Sequence, residues 1–224
     1  VGQEFETFRT ESELLPQNQE VFRVFGGASW DWQAYHSVDI RFAYADQNNN
    51  QLLDENRLYA KGQNANVSWL AIGLSSEWAE QRYASRWAYR FEWIQQRGDA
   101  TFLGSTNQAK LRDINSYAID TGIRYSLSNN PIFIGLTYVK GSGGSSDTET
   151  NNFSQTGLHT NRGRYFGNNQ YMYRFNEALR ADLTNLQQIS AFLSWEPNAS
   201  WQTVVMLGIY EKSNDQQPIF VTGR

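Results

Sequence analysis

Arginine and carboxylate residues recur at even spacings in the parts of this chain that are richest in aromatic residues. Three series show this spacing: Arg86, Arg90 and Glu92; Asp39 and Arg41; and Asp120 and Arg124. A guanidinium group stays charged at physiological pH and forms forked hydrogen bonds to carboxylates. Side chains of these types can therefore bind an anionic ligand, or they can neutralise one another in a ladder of ion pairs.

Alternation of residue type around these series predicts β-strands with two unlike faces. In the stretch 86–94, Trp87, Tyr89, Phe91 and Trp93 fall on one side, whereas the arginines and Glu92 fall on the other. A repeat of two residues is the side-chain period of a strand. The same alternation recurs in three further stretches: 38–45, 69–75 and 117–127. The charged series therefore share the face opposite the large apolar side chains.

The composition favours a membrane β-barrel over a soluble globule. Aromatic residues make up 15% of the 224 residues, with eight Trp, twelve Tyr and thirteen Phe, yet the mean hydropathy is −0.63. A barrel in lipid combines a polar lumen and polar loops with an apolar outer face and interfacial aromatic girdles. Candidate girdle residues at strand ends are Trp30, Trp32, Trp78, Trp195 and Trp201. No window reaches the eighteen apolar residues of a transmembrane helix.

Charge and cysteine content exclude several other classes. The formal net charge of −4 gives no basic surplus for nucleic-acid phosphates, so we predict no nucleic-acid partner. The chain has no cysteine, which excludes disulfides, thiolate metal sites and thiol nucleophiles. We also find no nucleophile elbow, no phosphate-cradling loop and no histidine pair at metal-ligand spacing. The sequence therefore predicts no enzyme and no cofactor.

Turn-forming residues divide the chain into ten or eleven candidate strands. Short connections are predicted at 128–131 and 196–200, and long loops at 98–115 and 141–152. Short turns at one end and long loops at the other are typical of outer-membrane barrels. The Gly/Ser-rich stretch 141–152 could also be a domain linker, but strand patterns continue on both sides. We interpret it as a mobile outer loop.

A weak calcium-site candidate lies in the polar stretch 46–55. Its oxygen-bearing side chains echo the spacing of a calcium-binding loop: Asp46, Asn48, Asn50 and Asp54. The pattern fails at Gln51, where a glycine should permit the sharp turn, and at Arg57, where a bidentate glutamate is needed. A polar hairpin loop without metal is the better interpretation of this stretch.

Two segments resemble the alginate-export family of outer-membrane porins. Residues 153–167 read F-S-Q-T-G-L-H-T-N-R-G-R-Y-F-G, and residues 177–186 read E-A-L-R-A-D-L-T-N-L. The resemblance is close over about 35 residues. It implies a monomeric 18-stranded barrel that passes an anionic polysaccharide through an arginine-lined constriction. Such a barrel is much longer than this chain, so we expect the single barrel domain 1–224 to be incomplete at one or both ends.

The sequence therefore predicts an all-β, antiparallel, transmembrane up-and-down barrel in a bacterial outer membrane. Its function would be passive diffusion of an alginate-like polysaccharide or a small anionic solute, with membrane lipid and periplasmic export components as partners. Candidate pore-lining residues are Arg41, Arg86, Arg90, Glu92, Asp120, Arg124, Arg162, Arg164, Arg174, Glu177 and Arg180. For any one arginine, a structural ion pair, a selectivity role and an exposed loop charge remain open. The alternative functions are a soluble or surface-attached carbohydrate-binding β-sandwich and a barrel with an enzymatic lumen.

Overall fold

The structure is a computed structural model. It describes residues 2–8, 17–33, 36–49, 63–76, 86–103, 108–127, 132–154, 162–164, 171–173, 183–198 and 201–216. Within these residues no helix is long and apolar enough to cross a membrane.

Antiparallel strands make up most of the described chain. The twelve described strands are Gly2–Phe8 (β1), Gln17–Gln33 (β2), His36–Asn49 (β3), Gln63–Ser75 (β4), Trp87–Leu103 (β5), Ala109–Ser126 (β6), Ile132–Gly141 (β7), Glu149–Thr150 (β8), Arg162–Arg164 (β9), Tyr171–Tyr173 (β10), Leu186–Asn198 (β11) and Trp201–Lys212 (β12). Nine of them form one continuous sheet in the order β1 to β7, β11 and β12. Short β8 pairs with β6, and β9 pairs with β10. The predicted all-β, up-and-down antiparallel architecture is confirmed, as one wall of a larger barrel.

The two faces of the sheet differ as the alternation predicts. On the outer face, apolar side chains such as Ile40, Leu136 and Ile209 are exposed. On the inner face, small, polar and charged side chains such as Ala88, Ser116 and Asp120 are buried. Since the side-chain period of a strand is two, the ladder register fixes which residues share a face.

Beyond the apolar band the two faces exchange character. The outer face becomes polar at positions such as Asn66, Arg97 and Asp113, which are exposed. The inner face becomes apolar, with Ala100 and Phe102 buried. This exchange makes the strands hard to recognise in the sequence, because the apolar residues of one strand do not all lie on the same face. The boundary between the two polarity patterns crosses β3 to β6, on the side of the outer apolar band that faces the long connections.

The predicted loop over residues 98–115 is wrong. Strand β5 continues to Leu103 and β6 begins at Ala109, and the two are paired from end to end. Gly98 looks like a chain breaker in the sequence, but here it allows close contact between strands. A Cβ atom at Gly98 would collide with the backbone carbonyl of Asn66 on β4. The glycine therefore keeps the ladder closed at a register shift instead of ending the strand.

Aromatic residues collect at the end of the sheet with the shorter connections. Trp30, Trp32, Trp87, Trp195 and Trp201 are all exposed there. Trp87 packs against Tyr125 with ring centroids 4.6 Å apart, and Trp30 and Trp32 are 6.4 Å apart. Trp78 lies outside the described residues. Strand β11 extends to Asn198, which pairs with Trp201, so this connection is tighter than predicted; residues 128–131 are not described.

Asn185 joins the start of β11 to the end of β12. Its φ angle of 54° lies in the left-handed region, which asparagine tolerates better than most residues. Its Nδ2 donates to the Asn214 carbonyl at 3.0 Å, and its Oδ1 accepts from the Asn214 backbone N–H at 2.7 Å. Its carbonyl accepts from the Ser213 N–H at 3.2 Å. The residue is completely buried, so these bonds are shielded from water.

Replacing Asn185 should separate its two contributions. Asn185→Gly keeps the backbone angle but removes the paired side-chain bonds, which should lower the unfolding free energy by about 1–3 kcal/mol. Asn185→Ala should lose about 1–2 kcal/mol more, because alanine resists the left-handed conformation. Denaturant unfolding in detergent measures both. Equal stability of the alanine and glycine variants would contradict a backbone contribution.

Candidate functional site

Three carboxylates share one row across the inner face. The ladder places Asp39 opposite Gly73, Gly73 opposite Glu92, and Glu92 opposite Asp120. Like charges at neighbouring positions of a sheet repel one another, so such a row requires compensating cations. Arg41 lies two residues from Asp39 on β3, and Arg90 lies two residues from Glu92 on β5. The register therefore gathers the three charged series of the sequence into one cluster.

Arg41 reaches across strand β4 to a carboxylate two strands away. Its Nη2 lies 3.0 Å from Glu92 Oε1 on β5 and 3.9 Å from Asp39 Oδ2. Gly73 on the intervening strand makes this reach possible. A Cβ atom at Gly73 would lie 2.6 Å from Asp39 Oδ2 and 3.4 Å from Arg41 Nη2. Any side chain at position 73 would therefore push into the Arg41–Asp39 contact.

Arg90 and Asp120 form a second ion pair between neighbouring strands β5 and β6. Their side chains are 18% and 6% exposed, so water screens this pair much less than a surface pair. A charge at this depth is costly unless an opposite charge neutralises it. The pair therefore fits the structural-ladder interpretation that was left open for each arginine.

Arg124 is also buried, and its surroundings are partly aromatic. The residue is only 2% exposed, and its guanidinium carbon lies 5.4 Å from the centroid of the Phe133 ring on β7. A guanidinium over an aromatic face gains an electrostatic attraction to the ring. Arg124 therefore belongs to the packed wall, where a passing solute has little access to its charge.

Exposure separates Arg41 from these two arginines. The Arg41 side chain is 55% exposed although it makes two carboxylate contacts. Its guanidinium can therefore hydrogen-bond to another anion without the sheet being disrupted. Among the predicted inner-face arginines with described side-chain contacts, Arg41 has the geometry of a site that can exchange partners.

The remaining candidates do not join this cluster in the described structure. Arg86 is exposed just before β5, where its carbonyl accepts a bond from the Ser126 N–H at 2.8 Å. Arg162 and Arg164 lie in β9, of which only the backbone is described. The candidates outside the described residues are Arg174, Glu177 and Arg180. Their predicted pore-lining roles stay predictions.

The calcium candidate begins in a strand. Asp46 and Asn48 belong to β3, and Asp46 pairs with Phe22 on one side and Asn66 on the other. These ladders hold the backbone extended at the position where a calcium-binding loop would have to turn. Asn50 and Asp54 lie outside the described residues. No group of three or more histidine or carboxylate residues placed to hold a metal ion occurs in the described part of the chain.

Sequence reasoning missed a polar network at the apolar end of the inner face. Gln96 Oε1 accepts from Ser116 Oγ at 2.7 Å and from the Ser154 N–H at 2.9 Å. Trp69 Nε1 donates to the Ser154 carbonyl at 2.9 Å. These bonds draw the described start of the β7–β11 connection against the inner face. Residues 141–152, which were predicted to form a mobile outer loop, are also bonded to β6 through Ser142 and Thr148.

The family motifs contain residues that hold this packing together. Phe153 opens the first resembling segment, and Leu183 and Leu186 lie in the second. All three are buried in one apolar cluster with inner-face residues of β4 to β7. Their place in the resembling segments was the available signal, but a single sequence does not distinguish packing residues from pore residues.

The family model described as "Alginate export" matches residues 7–224. The chain belongs to the alginate export family. The match covers the inner-face charge cluster, the two resembling segments and all of the described sheet except the first residues of β1.

Curated relatives from three bacteria match over 94–100% of the chain. "Alginate production protein AlgE" of Pseudomonas aeruginosa is 28% identical, over 100% of this chain and 47% of that protein. The protein of the same name from Azotobacter vinelandii is 26% identical, over 100% and 48%. That of Pseudomonas syringae pv. tomato is 26% identical, over 94% and 43%. The chain thus spans about half the length of these relatives.

Removing each arginine should affect stability according to its burial. Arg90→Ala leaves the buried Asp120 carboxylate without this partner and should cost about 3–5 kcal/mol. Arg41→Ala removes an exposed pair and should cost at most about 1 kcal/mol. Chemical unfolding in detergent tests the comparison. A larger loss for Arg41→Ala than for Arg90→Ala would contradict the assignment of Arg90 to the structural wall.

Proposed function

We propose that this chain forms part of an outer-membrane β-barrel channel through which an anionic, alginate-like polysaccharide or a small anionic solute diffuses passively. The observation that carries the proposal is the exposed guanidinium of Arg41, held on the inner face by Glu92 and Asp39. The whole chain would serve as one incomplete barrel domain, with no enzymatic step and no cofactor. Membership of the alginate export family supports the substrate class.

The outer face supports a location in a lipid membrane. Exposed apolar side chains continue from β3 to β12, for example Phe42, Leu70, Phe91, Leu193 and Leu207. Exposed tryptophans border this band at the end of the sheet with the shorter connections. An apolar band with an aromatic girdle is the surface that a membrane barrel presents to lipid. A bacterial outer membrane accommodates barrels of this kind.

The inner charges support weak, exchangeable binding of a polyanion. The cluster Asp39, Arg41, Arg90, Glu92, Asp120 and Arg124 holds equal numbers of arginines and carboxylates. A solute carboxylate must therefore compete with Glu92 and Asp39 for Arg41, which limits its residence time. Conduction requires binding that is strong enough for entry and weak enough for release. Arg90 and Arg124 would keep the wall rigid behind this exchange site.

The soluble β-sandwich is the weaker candidate. A sandwich needs a second sheet packed over the apolar face of the first. In the described residues, the second sheet is the short pair β9 and β10, and the outer apolar face remains exposed. The exposure of the outer apolar face in the described residues therefore favours the channel.

Ion selectivity tests the role of Arg41. Planar-bilayer recordings of the full-length protein should show that Arg41→Ala lowers the anion-to-cation permeability ratio severalfold, because the exposed positive charge of the inner face is lost. Arg97→Ala is the matched control. It removes the same charge from the exposed outer face and should leave selectivity unchanged. Equal effects of the two variants, or a channel without anion preference, would contradict the proposal.

Insertion energetics test the membrane location. Leu136→Arg places a charge in the outer apolar band and should destabilise the protein in lipid vesicles by about 2–4 kcal/mol. Asn66→Arg places the same charge on the outer face beyond the band, where about 0–1 kcal/mol is expected. Reversible unfolding from vesicles measures both. Similar values for the two variants, or solubility without detergent, would argue against a membrane barrel.

A further inference from the structure

We infer that residues 142–154 form a fixed shelf on the inner face, which narrows the passage and keeps a solute away from β4 to β6. The inner shelf limits the bore of the channel along β4 to β6. The inference rests on the proposed channel function. It adds the part of the wall that limits the size of the solutes that can pass. It is carried by hydrogen bonds, by strand pairing and by apolar packing.

Ser142 anchors the base of the inner shelf. Its N–H donates to the Tyr117 carbonyl at 2.9 Å, and its Oγ accepts from the Tyr117 N–H at 2.9 Å. Its Oγ also donates to the Asn151 carbonyl at 2.6 Å. Its own carbonyl accepts from the N–H groups of Phe153 at 3.0 Å and Asn185 at 3.2 Å. One residue therefore ties β6, both sides of the shelf and the start of β11 together.

Strand β8 continues the pairing that β7 leaves unfinished. The β6–β7 ladder ends where Ala118 pairs with Gly141. Further along β6, Asp113 pairs with Glu149 and Ile114 pairs with Thr150. The Asp113 N–H donates to the Thr148 carbonyl at 2.9 Å. The inner shelf thus satisfies the edge of a strand that would otherwise be unpaired there, as a regular strand would.

The far end of the shelf extends over the neighbouring strands. Ser154 accepts a bond from the Trp69 indole on β4 at 2.9 Å. The Ser154 N–H donates to Gln96 on β5 at 2.9 Å. The shelf therefore runs from the end of β7 across β6 and β5 to β4.

Apolar packing fixes the shelf in this position. Phe153 is 2% exposed and lies in a buried cluster with Val67, Trp69, Ala100, Phe102, Ile114, Ala118, Val139, Leu183 and Leu186. Opening the shelf would expose this cluster and break the bonds of Ser142 and Ser154. Segments that move readily have few buried apolar contacts and exposed backbone bonds. The inner shelf has the opposite properties at Ser142, Thr150 and Phe153, which are buried, so it is a permanent part of the wall.

The shelf excludes a polyanion from the sector that it covers. Burying a carboxylate against an apolar cluster is strongly unfavourable unless a cation accompanies it. On β2 and β3, by contrast, inner-face residues Ser29, Asp31 and Arg41 are exposed. A charged polymer that passes along β2 and β3 instead would meet the guanidinium of Arg41.

Polymer exclusion measures the bore independently of charge. Neutral polyethylene glycols of graded size are added to planar-bilayer recordings of the full-length protein. Phe153→Asp should release the shelf, because a carboxylate does not remain in the apolar cluster, and it should shift the exclusion limit to larger polymers. Thr148→Asp is the matched control, with the same charge on an exposed position of the shelf. An unchanged limit in a folded Phe153→Asp channel would overturn the inference.

A disulfide lock distinguishes a fixed shelf from a moving lid and does not depend on the folding of Phe153→Asp. The chain has no cysteine, and Asp113 and Glu149 are paired neighbours. Neighbouring strands lie about 5 Å apart, which is within the Cα separation that a disulfide spans. Oxidation of the double variant Asp113→Cys and Glu149→Cys should leave conductance and exclusion limit unchanged. A fall in conductance that dithiothreitol reverses, absent in Asp113→Cys alone, would show that the shelf opens and would overturn the inference.

Different results would overturn the proposed channel and the proposed shelf. A refolded protein that never conducts ions overturns the proposed channel. The disulfide of the locked variant should still form rapidly under mild oxidation, because it depends only on the pairing of β8 with β6. A conducting protein whose cysteine pair does not oxidise would leave the channel intact and overturn the shelf.

Discussion

The register of the β-ladders is the constraint on which the other features depend. Because side chains alternate between faces, a slip of one residue between two strands would move a charged series from the inner to the outer face. The observed register puts Asp39, Gly73, Glu92 and Asp120 in one row. The ion pairs of Arg41 and Arg90 follow from this row, and so does the need for a glycine on β4. The charge cluster and the register therefore support each other, since a slipped ladder would leave carboxylates without partners.

The inner face of the sheet changes from charged to apolar along the strands. Near the middle of β3, β5 and β6 the inner face holds the charge cluster, and toward the long connections it holds the apolar cluster around Phe153. The outer face shows the reverse order, apolar first and then polar. A membrane barrel whose wall extends beyond the bilayer would need this arrangement, because the projecting wall faces water outside and can be packed inside. The exchange of polarity thus marks where the lipid-facing part of the wall ends.

Local alternation was sufficient to predict the strands around Arg41, Leu70, Arg90 and Arg124 and to assign their faces. Alternation did not predict the strands over residues 98–115, where the faces exchange polarity and Gly98 is a residue typical of turns. The sequence also could not show which arginines are buried and which is exposed. Arg41 contacts its partner across an intervening strand, and Arg124 packs on Phe133. The shelf was least predictable. Its bond between Trp69 and Ser154 joins residues 85 positions apart, and no local pattern records such a contact.

The inward position of Trp69 gives the protein an internal optical probe. Trp30, Trp87, Trp195 and Trp201 are exposed on the outer face, where a quencher carried on lipid chains would reach them. The Trp69 indole is buried on the opposite face and hydrogen-bonded to the Ser154 carbonyl. Among the tryptophans in the described residues, lipid-borne quenchers would therefore quench those on the outer face and spare Trp69. The emission of Trp69 would report the state of the interior without any added label.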